Sequence, residues 1–134
     1  MLLNIASFCV GKATDLSVKA YTKRVGVHWH VSPKLLLGQD TYCLFVDMWN
    51  VDCILFELYR REPLFVGWND FEILQAIFNL LGTPNEEVWS GVSQLSYWHP
   101  FPQWEPCDLR TKVPDLDDYA FDLLSKPLYW LETT

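Results

Sequence analysis

The sequence predicts a mainly α-helical domain, and three observations lead to this prediction. Half of the 134 residues are hydrophobic and 16% are aromatic, which is enough apolar surface for one buried core. Two stretches carry apolar residues at helical spacing, and a third opens with acidic residues that favour a helix N-terminus. No internal repeat or low-complexity tract interrupts the chain. We therefore expect one domain.

The longest predicted helix runs from about Thr41 to Arg60. Asp40 or Thr41 is the best candidate for its N-cap, and Pro63 marks the region in which it stops. Apolar residues go nearly all the way round this helix. Such a helix is typical of the centre of a larger domain rather than of its surface.

A second helix is predicted to begin at Asn69, because Glu72 follows three residues later and completes a capping box. Gly82, with Pro84 just beyond it, is expected to end the helix. The apolar residues at helical spacing along it are Phe71, Leu74, Ile77, Phe78 and Leu81. This spacing predicts an amphipathic helix with one face in the core.

The rest of the chain is less regular. Residues 1–40 are predicted to be rich in loops. Residues 83–114 form a long irregular excursion with one short helix near Asn85 to Trp89, and connections of this length are usually functional. A final helix is predicted from about Asp117 to Ser125, closed by Pro127.

Composition excludes several classes of protein. The net charge of −7 and the lack of a Lys/Arg cluster argue against a nucleic-acid binder. The most apolar run, residues 43–58, is broken by charged residues and is too short to cross a bilayer. The cysteines lie far apart and have no metal-type spacing: Cys9, Cys43, Cys53 and Cys107. Reduced thiols in an intracellular protein are the expected state.

The pair His28 and His30 raises the question of a metal site. On a β-strand this spacing would place both imidazoles on one face, as a zinc site requires. A site needs further ligands, however, and His99 and the cysteines are remote in the sequence. We therefore predict no metal site.

Two further groups could carry chemistry, and a structural role is favoured for each. Asp47 and Asp52 are five residues apart on a helix and point in different directions, so they do not form a catalytic carboxylate pair. The aromatic stretch of the excursion could bind a ligand or a peptide, but packing against the core is the favoured use. It comprises Trp89, Tyr97, Trp98, His99, Phe101 and Trp104.

The order of the motifs resembles the C-terminal lobe of a cyclin-dependent protein kinase. "LNIASFCVGKA" is similar to the strand that leads into D-F-G, and "AYTKRVGVHWHVSPKLLLG" to the activation segment ending in W-Y-R-A-P-E. "VDMWNVDCILFELYRREPLF" is similar to the central helix of the family. "FNLLGTPNEEVWSGV" and "WHPFPQWEPCDL" resemble the insert of this kinase group, closest to the plant B-type branch.

The resemblance implies a partial protein-kinase-like C-terminal lobe in a mainly α fold. Its parts are an activation segment (1–38), a central apolar helix followed by a second helix (39–82), a long irregular insert (83–116) and a final helix (117–134). The Gly-rich loop, the strand Lys, the helix Glu and the H-R-D catalytic loop would all precede Met1.

The resemblance also implies that catalysis is lost. Ser7, Phe8 and Cys9 stand at the D-F-G position, so that a serine replaces the metal-binding Asp. A neutral hydroxyl is a poor substitute for a carboxylate facing Mg²⁺. We expect no catalytic residue, no intact cofactor-binding residue and no cofactor in this chain, although the complete family uses ATP and Mg²⁺.

The substrate platform of the family is altered as well. Val27 replaces a Thr, Val31 replaces an Arg, and Lys34 replaces the Glu of A-P-E. In the central helix Asp52 replaces a Gly, where a buried carboxylate should be costly. The remnants of the platform are Gly26, Trp29 and Pro33. Asp47 and Trp49 match the pair that fixes the catalytic loop to the central helix.

A regulatory feature of the family is retained in part. Thr22, preceded by Tyr21, matches the activation threonine and is a phosphorylation candidate. Lys12 stands where the family has an arginine that contacts the phosphate, and a lysine can pair with phosphate without the bidentate geometry of arginine.

The leading hypothesis is an intracellular, nuclear or cytoplasmic, truncated cyclin-dependent kinase-like pseudokinase that is inactive alone. The family role is ATP-dependent, proline-directed Ser/Thr phosphorylation in cell-cycle control with a cyclin, which is a doubtful partner here. The alternative is a non-catalytic module that docks a Cks-type adaptor through the insert, with Trp89, Trp98 and Trp104 as candidate contacts. The third hypothesis is a non-functional gene fragment.

Overall fold

A computed structural model describes residues 4, 19–20, 28–39, 41–42, 44–126 and 128 of the chain. The helices are α1 (Pro33–Leu36), α2 (Leu44–Arg60), α3 (Asp70–Leu81) and α4 (Asp118–Ser125), with 3₁₀ helices at His28–His30, Val92–Gln94 and Leu109–Lys112. The strands β1 (Lys19–Ala20) and β2 (Thr41–Tyr42) form one short antiparallel pair, with Lys19 opposite Tyr42 and Ala20 opposite Thr41. The prediction of a mainly α fold is confirmed.

Helix α2 begins three residues later than predicted. Thr41 and Tyr42 belong to β2, so neither Asp40 nor Thr41 is its N-cap. A β-branched and an aromatic residue suit a strand, and pairing with β1 outweighs the local helix-start signal. The predicted end is correct, because α2 stops at Arg60 and Arg61 adopts a positive φ of 60°.

Only one side of α2 is buried among the described residues. Val46, Trp49, Cys53 and Phe56 are each 3% exposed or less. The other side carries a row of large apolar side chains that are 40–45% exposed, namely Met48, Val51, Ile54 and Leu58. The nearly uniform apolar character of this helix thus corresponds to a core face and an uncovered face.

Helix α3 confirms the predicted capping signals. The Asn69 Oδ1 atom accepts a hydrogen bond from the Glu72 N–H at 3.0 Å, and the Glu72 carboxylate accepts one from the Trp68 N–H at 2.7 Å. Gly82 has a φ of 91°, and its N–H donates to the Phe78 carbonyl at 2.9 Å. The buried face comprises Ile73, Leu74, Ile77, Phe78 and Leu80.

The short helix predicted near Asn85 to Trp89 is not formed. Asn85 Oδ1 accepts hydrogen bonds from the N–H groups of Glu87 and Val88, which makes a capped turn. The chain cannot continue as a helix because Gly91 has a φ of 83°. The excursion is otherwise irregular, as expected, and it packs into the core through Val92, Phe101, Leu109 and Val113.

Helix α4 lies where the sequence predicts it. Asp117 is its N-cap, and its carboxylate accepts a hydrogen bond from the Ala120 N–H at 2.9 Å. The Arg110 guanidinium lies 4.4 Å from the centre of the Phe121 ring and also pairs with Asp118. These contacts attach α4 to the preceding 3₁₀ helix. Pro127 lies outside the described residues.

Candidate functional site

Of the predicted platform remnants, the structure describes Trp29, within the His28–His30 turn, and Pro33, just after it. The Trp29 indole N–H donates to the Gly67 carbonyl at 3.0 Å, and Trp29 is 36% exposed. Pro33 is buried at the first position of α1, behind the N-cap Ser32. The turn is therefore attached to the segment between α2 and α3.

The backbone at His28–His30 is a 3₁₀ helix and not a strand, so the spacing that would place both imidazoles on one face does not apply. The His30 Nε2 atom lies 2.6 Å from the Glu57 Oε2 atom of α2. Within the described part of the chain, no group of three or more His, Cys, Asp or Glu residues could hold a metal ion. His30 thus has an identified structural partner.

Two of the altered platform positions are accommodated by packing. Val31 is 3% exposed and belongs to the core. The Lys34 ammonium lies 5.9 Å from the centre of the Trp89 ring, at the outer limit of a cation–π contact. Val31 therefore makes core contacts and Lys34 an aromatic contact, whereas their correspondence to platform residues of the family stays a prediction.

Asp47 and Trp49 have different environments. Asp47 is exposed in the first turn of α2 and takes part in an interaction. Trp49 is buried and stacks on Phe65, with ring centres 5.8 Å apart and ring planes at 10°. Its indole N–H is buried with no hydrogen-bond partner among the described residues. A role of this pair in holding a catalytic loop stays a prediction.

Asp52 is a buried carboxylic acid whose pKa departs strongly from its ordinary value. It is 3% exposed, and its Oδ2 atom has no hydrogen-bond partner among the described residues. Burial raises the pKa of Asp52 to about 7. Burial also raises the pKa of the neighbouring Cys53 thiol, with smaller contributions from the charges of Asp52 and Glu57. The carboxylate thus occupies a costly position, whereas its correspondence to a family glycine stays a prediction.

The three tryptophans of the insert differ in accessibility. Trp89 is buried at 3% exposure. Trp98 and Trp104 are partly buried against the core. The Trp98 ring meets Phe101 edge-on, with ring centres 5.3 Å apart. Of the three candidate adaptor contacts, only Trp98 and Trp104 therefore retain surface that a partner could touch.

An aromatic cluster that was not predicted from the sequence lies between α3 and the insert. Phe71 stacks on Phe101 at 5.4 Å and meets His99 edge-on at the same distance. Phe78 completes the cluster against Phe101 at 5.0 Å. The only signal in the sequence was the density of aromatics at 97–104, which did not identify their partners on α3.

The remaining predicted site residues lie outside the described residues. They are Ser7, Phe8, Cys9, Lys12, Tyr21, Thr22 and Gly26, together with Val27. Their roles stay predictions.

No helix of the described residues is both long enough and apolar enough to cross a membrane.

Comparison with known proteins finds relatives among curated sequences. No protein-family model matches the chain. It is 48% identical over 128 residues to cyclin-dependent kinase B2-2 of Arabidopsis thaliana, an alignment that covers 96% of this chain and 41% of the relative. It is 46% identical over 127 residues to cyclin-dependent kinase B1-1 of the same plant, covering 95% of this chain and 41% of the relative.

A relative from a second plant gives the same result. The chain is 43% identical over 130 residues to cell division control protein 2 homolog D of Antirrhinum majus, covering 97% of this chain and 42% of the relative. The chain thus spans about two fifths of the length of the curated relatives it matches.

The helical fold is consistent with a fragment of the C-terminal lobe of a protein kinase, the class of the relatives that the chain matches. Within that class, the chain is a homologue of the plant B-type cyclin-dependent kinases and matches their C-terminal part.

Proposed function

We propose that this chain is a cyclin-dependent kinase-like protein that does not transfer phosphate by itself. The observation that carries the proposal is the sequence Ser7-Phe8-Cys9 at the D-F-G position of a chain that is up to 48% identical to cyclin-dependent kinases. A hydroxyl supplies neither the charge nor the anionic oxygen that Mg²⁺ prefers. The donor set at this position therefore does not fit the Mg²⁺–ATP of the family.

The platform residues support the same conclusion. Val31 lies in the core where the family has an arginine, and Lys34 lies over Trp89 where the family has the glutamate of A-P-E. Neither side chain can reproduce the ion pairs of the family, since Val31 is uncharged and Lys34 has the opposite charge. The two Arabidopsis thaliana relatives are cyclin-dependent by their names. For a longer protein that includes this chain, we propose the family role of proline-directed phosphorylation.

The experiment measures transfer of labelled phosphate from Mg²⁺–ATP to a proline-directed peptide substrate by the purified chain. We expect no incorporation above the rate without protein. Two preparations with different affinity tags provide the control, because a contaminating kinase would differ between them. Metal-dependent incorporation that scales with chain concentration and is equal in both preparations would overturn the proposal.

A second candidate function is docking of a Cks-type adaptor on the insert. It is favoured by the partly exposed rings of Trp98 and Trp104 on a segment that the core holds in place. The test titrates the adaptor into the chain while tryptophan fluorescence is followed. We expect a saturable change that is reduced in the Trp98→Ala variant.

The matched control for this titration is Trp68→Phe, which removes an indole that is 97% exposed and lies outside the insert. The fluorescence change should persist in this variant. A flat titration at micromolar concentrations, or an equal loss in both variants, contradicts docking on the insert.

A further inference from the structure

A groove of about 250 Å³ lies beside the end of α3. One wall is formed by residues 81–85 and 88, and the other by residues 103–106. Leu128, just beyond α4, completes the lining. None of the lining residues belongs to the His28–His30 turn.

Hydrogen bonds between the walls hold the groove in shape. The Thr83 N–H donates to the Trp104 carbonyl at 3.0 Å, and the Trp104 N–H donates back to Thr83 Oγ1 at 2.9 Å. The Thr83 hydroxyl itself donates to the Pro102 carbonyl at 2.6 Å. Nearby, the Cys107 N–H donates to the Leu80 carbonyl at 2.9 Å. A ligand would therefore enter a preformed site, which lowers the entropic cost of binding.

The apolar part of the lining consists of flat rings and aliphatic side chains. Trp104, Pro84 and Pro106 contribute the rings. Val88, which is 37% exposed, contributes aliphatic surface together with Leu81 and Leu128. Aromatic-lined grooves of this kind accept the pyrrolidine rings of an extended, polyproline-type segment, whose backbone is already ordered before binding. Asn85 and Gln103 provide amide groups that can hydrogen-bond to the backbone of such a segment.

The charge on the groove has a single sign. Glu105 is part of the lining, and the exposed Glu86 and Glu87 follow Asn85 in the adjoining turn. No lysine, arginine or histidine occurs among the lining residues that the structure describes. The groove therefore complements a cationic ligand.

We infer that this groove binds a proline-containing peptide segment flanked by arginine or lysine. The occupant follows from charge complementarity at the rim and from the flat apolar walls of a preformed groove. The inference goes beyond the proposed function, because nothing in it depends on phosphoryl transfer or on an adaptor.

The test follows fluorescence anisotropy of a fluorescein-labelled peptide in which two arginines flank a run of prolines, with the full chain as titrant. Val88→Lys should weaken binding at least about tenfold by filling the apolar wall with a cation. Glu105→Gln should weaken it about threefold at low salt and have less effect at high salt, because ions screen exposed charges. Circular dichroism checks that each variant is folded.

Two substitutions elsewhere serve as matched controls. Val66→Lys introduces the same side chain at an exposed valine outside the groove, and Asp115→Asn removes one exposed carboxylate that does not line it. Both should bind the peptide like the unaltered chain. Equal binding of a peptide whose prolines are replaced by alanines would overturn the inference, and so would equal weakening by the controls or no binding up to millimolar chain. None of these outcomes bears on the absence of phosphate transfer.

Discussion

At the scale of single residues, Asp52 and Trp49 are side chains of α2 that place polar atoms in the core. They lie three residues apart on the same side of the helix, and each has a buried polar atom without a hydrogen-bond partner among the described residues. A buried polar group without a partner loses its hydration and gains nothing in return. The ionised Asp52 carboxylate is more costly than the unpaired Trp49 indole N–H, because its charge is formed inside the core.

The pH dependence of stability follows from the pKa of Asp52. The pKa is about 7 in the folded chain, against an ordinary value of 3.8, so the folded state binds the proton more tightly between these pH values. The contribution of Asp52 to stability therefore falls as the pH rises through this range. Above it, the penalty reaches at most about 4 kcal/mol.

We predict that Asp52→Asn raises the free energy of unfolding more at pH 8 than at pH 5, because the asparagine needs no proton to stay neutral and only part of the charge penalty is present at pH 5. Urea unfolding at the two pH values measures the difference. Asp115→Asn, at an exposed position, should show no such pH dependence. A gain for Asp52→Asn that is equal at both pH values would contradict the assignment of the penalty to the charge.

At the scale of elements, the N-terminus of α3 depends on one side chain. Asn69 is exposed, and its Oδ1 atom caps the helix through the Glu72 N–H. An N-cap side chain satisfies a backbone donor that the helix itself leaves unpaired.

We predict that Asn69→Ala lowers the free energy of unfolding by about 1 kcal/mol, since the capping hydrogen bond is lost. Chemical denaturation monitored by circular dichroism measures the change. The control is Asn79→Ala, the same substitution at an exposed position within α3, where alanine should be neutral or slightly stabilising. An equal loss in both variants would count against the cap.

The turn at the start of the insert depends on Glu86. Its carboxylate accepts hydrogen bonds from the Ser93 hydroxyl and from the N–H groups of Ser93 and Gly91, the latter at 2.6 Å. These contacts lower the pKa of Glu86 from its ordinary value of 4.5, with the Ser93 side chain as the largest cause. The turn is thus held by an ionised, exposed side chain.

We predict that the hydrogen bonds of Glu86 are intact above pH 4.5 and are lost as the pH falls through the lower pKa of the folded chain. Amide exchange protection of Gly91 and Ser93, measured by NMR, should decrease in acid. Glu86→Gln should abolish this acid-dependent step, whereas Glu87→Gln on the neighbouring residue should retain it. Persistence of the step in Glu86→Gln would show that another group controls the turn.

At the scale of the whole molecule, the uncovered side of α2 is the main departure from an ordinary globular surface. Four large apolar side chains at 48, 51, 54 and 58 follow helical spacing and are 40–45% exposed. An exposed apolar row of this size promotes association and binds hydrophobic dyes. The core side of the same helix, by contrast, contributes to folding stability.

We predict opposite outcomes for substitutions on the two sides of α2. Ile54→Glu should reduce binding of a hydrophobic dye and raise solubility, with little loss of stability, because Ile54 is 40% exposed. Phe56→Ala should lower the free energy of unfolding by about 3–5 kcal/mol, because Phe56 is fully buried. Dye fluorescence and urea unfolding measure the two effects, and a large destabilisation by Ile54→Glu would show that this side is packed.

The accuracy of the sequence-based predictions varied with the distance over which each signal acts. The capping box at Asn69 and Glu72 and the N-cap at Asp117 act within one turn of helix, so α3 and α4 were found within one residue of their ends. The start of α2 was wrong because Thr41 pairs with Ala20, a contact between residues far apart in the chain. A helix was predicted at Asn85, where the structure has a turn, because an asparagine side chain caps a helix and a turn in the same way.

The sequence by itself determined the helical class and the caps of α3 and α4, since these depend on residue identity and near neighbours. Only the tertiary structure decided that Trp89 is buried and that Thr83 and Trp104 hold two walls of a groove together. It also decided that the Asp52 Oδ2 atom has no hydrogen-bond partner in the part of the chain that is described. These features arise where distant segments meet. Their free energies depend on packing and desolvation, which spacing along the chain does not encode.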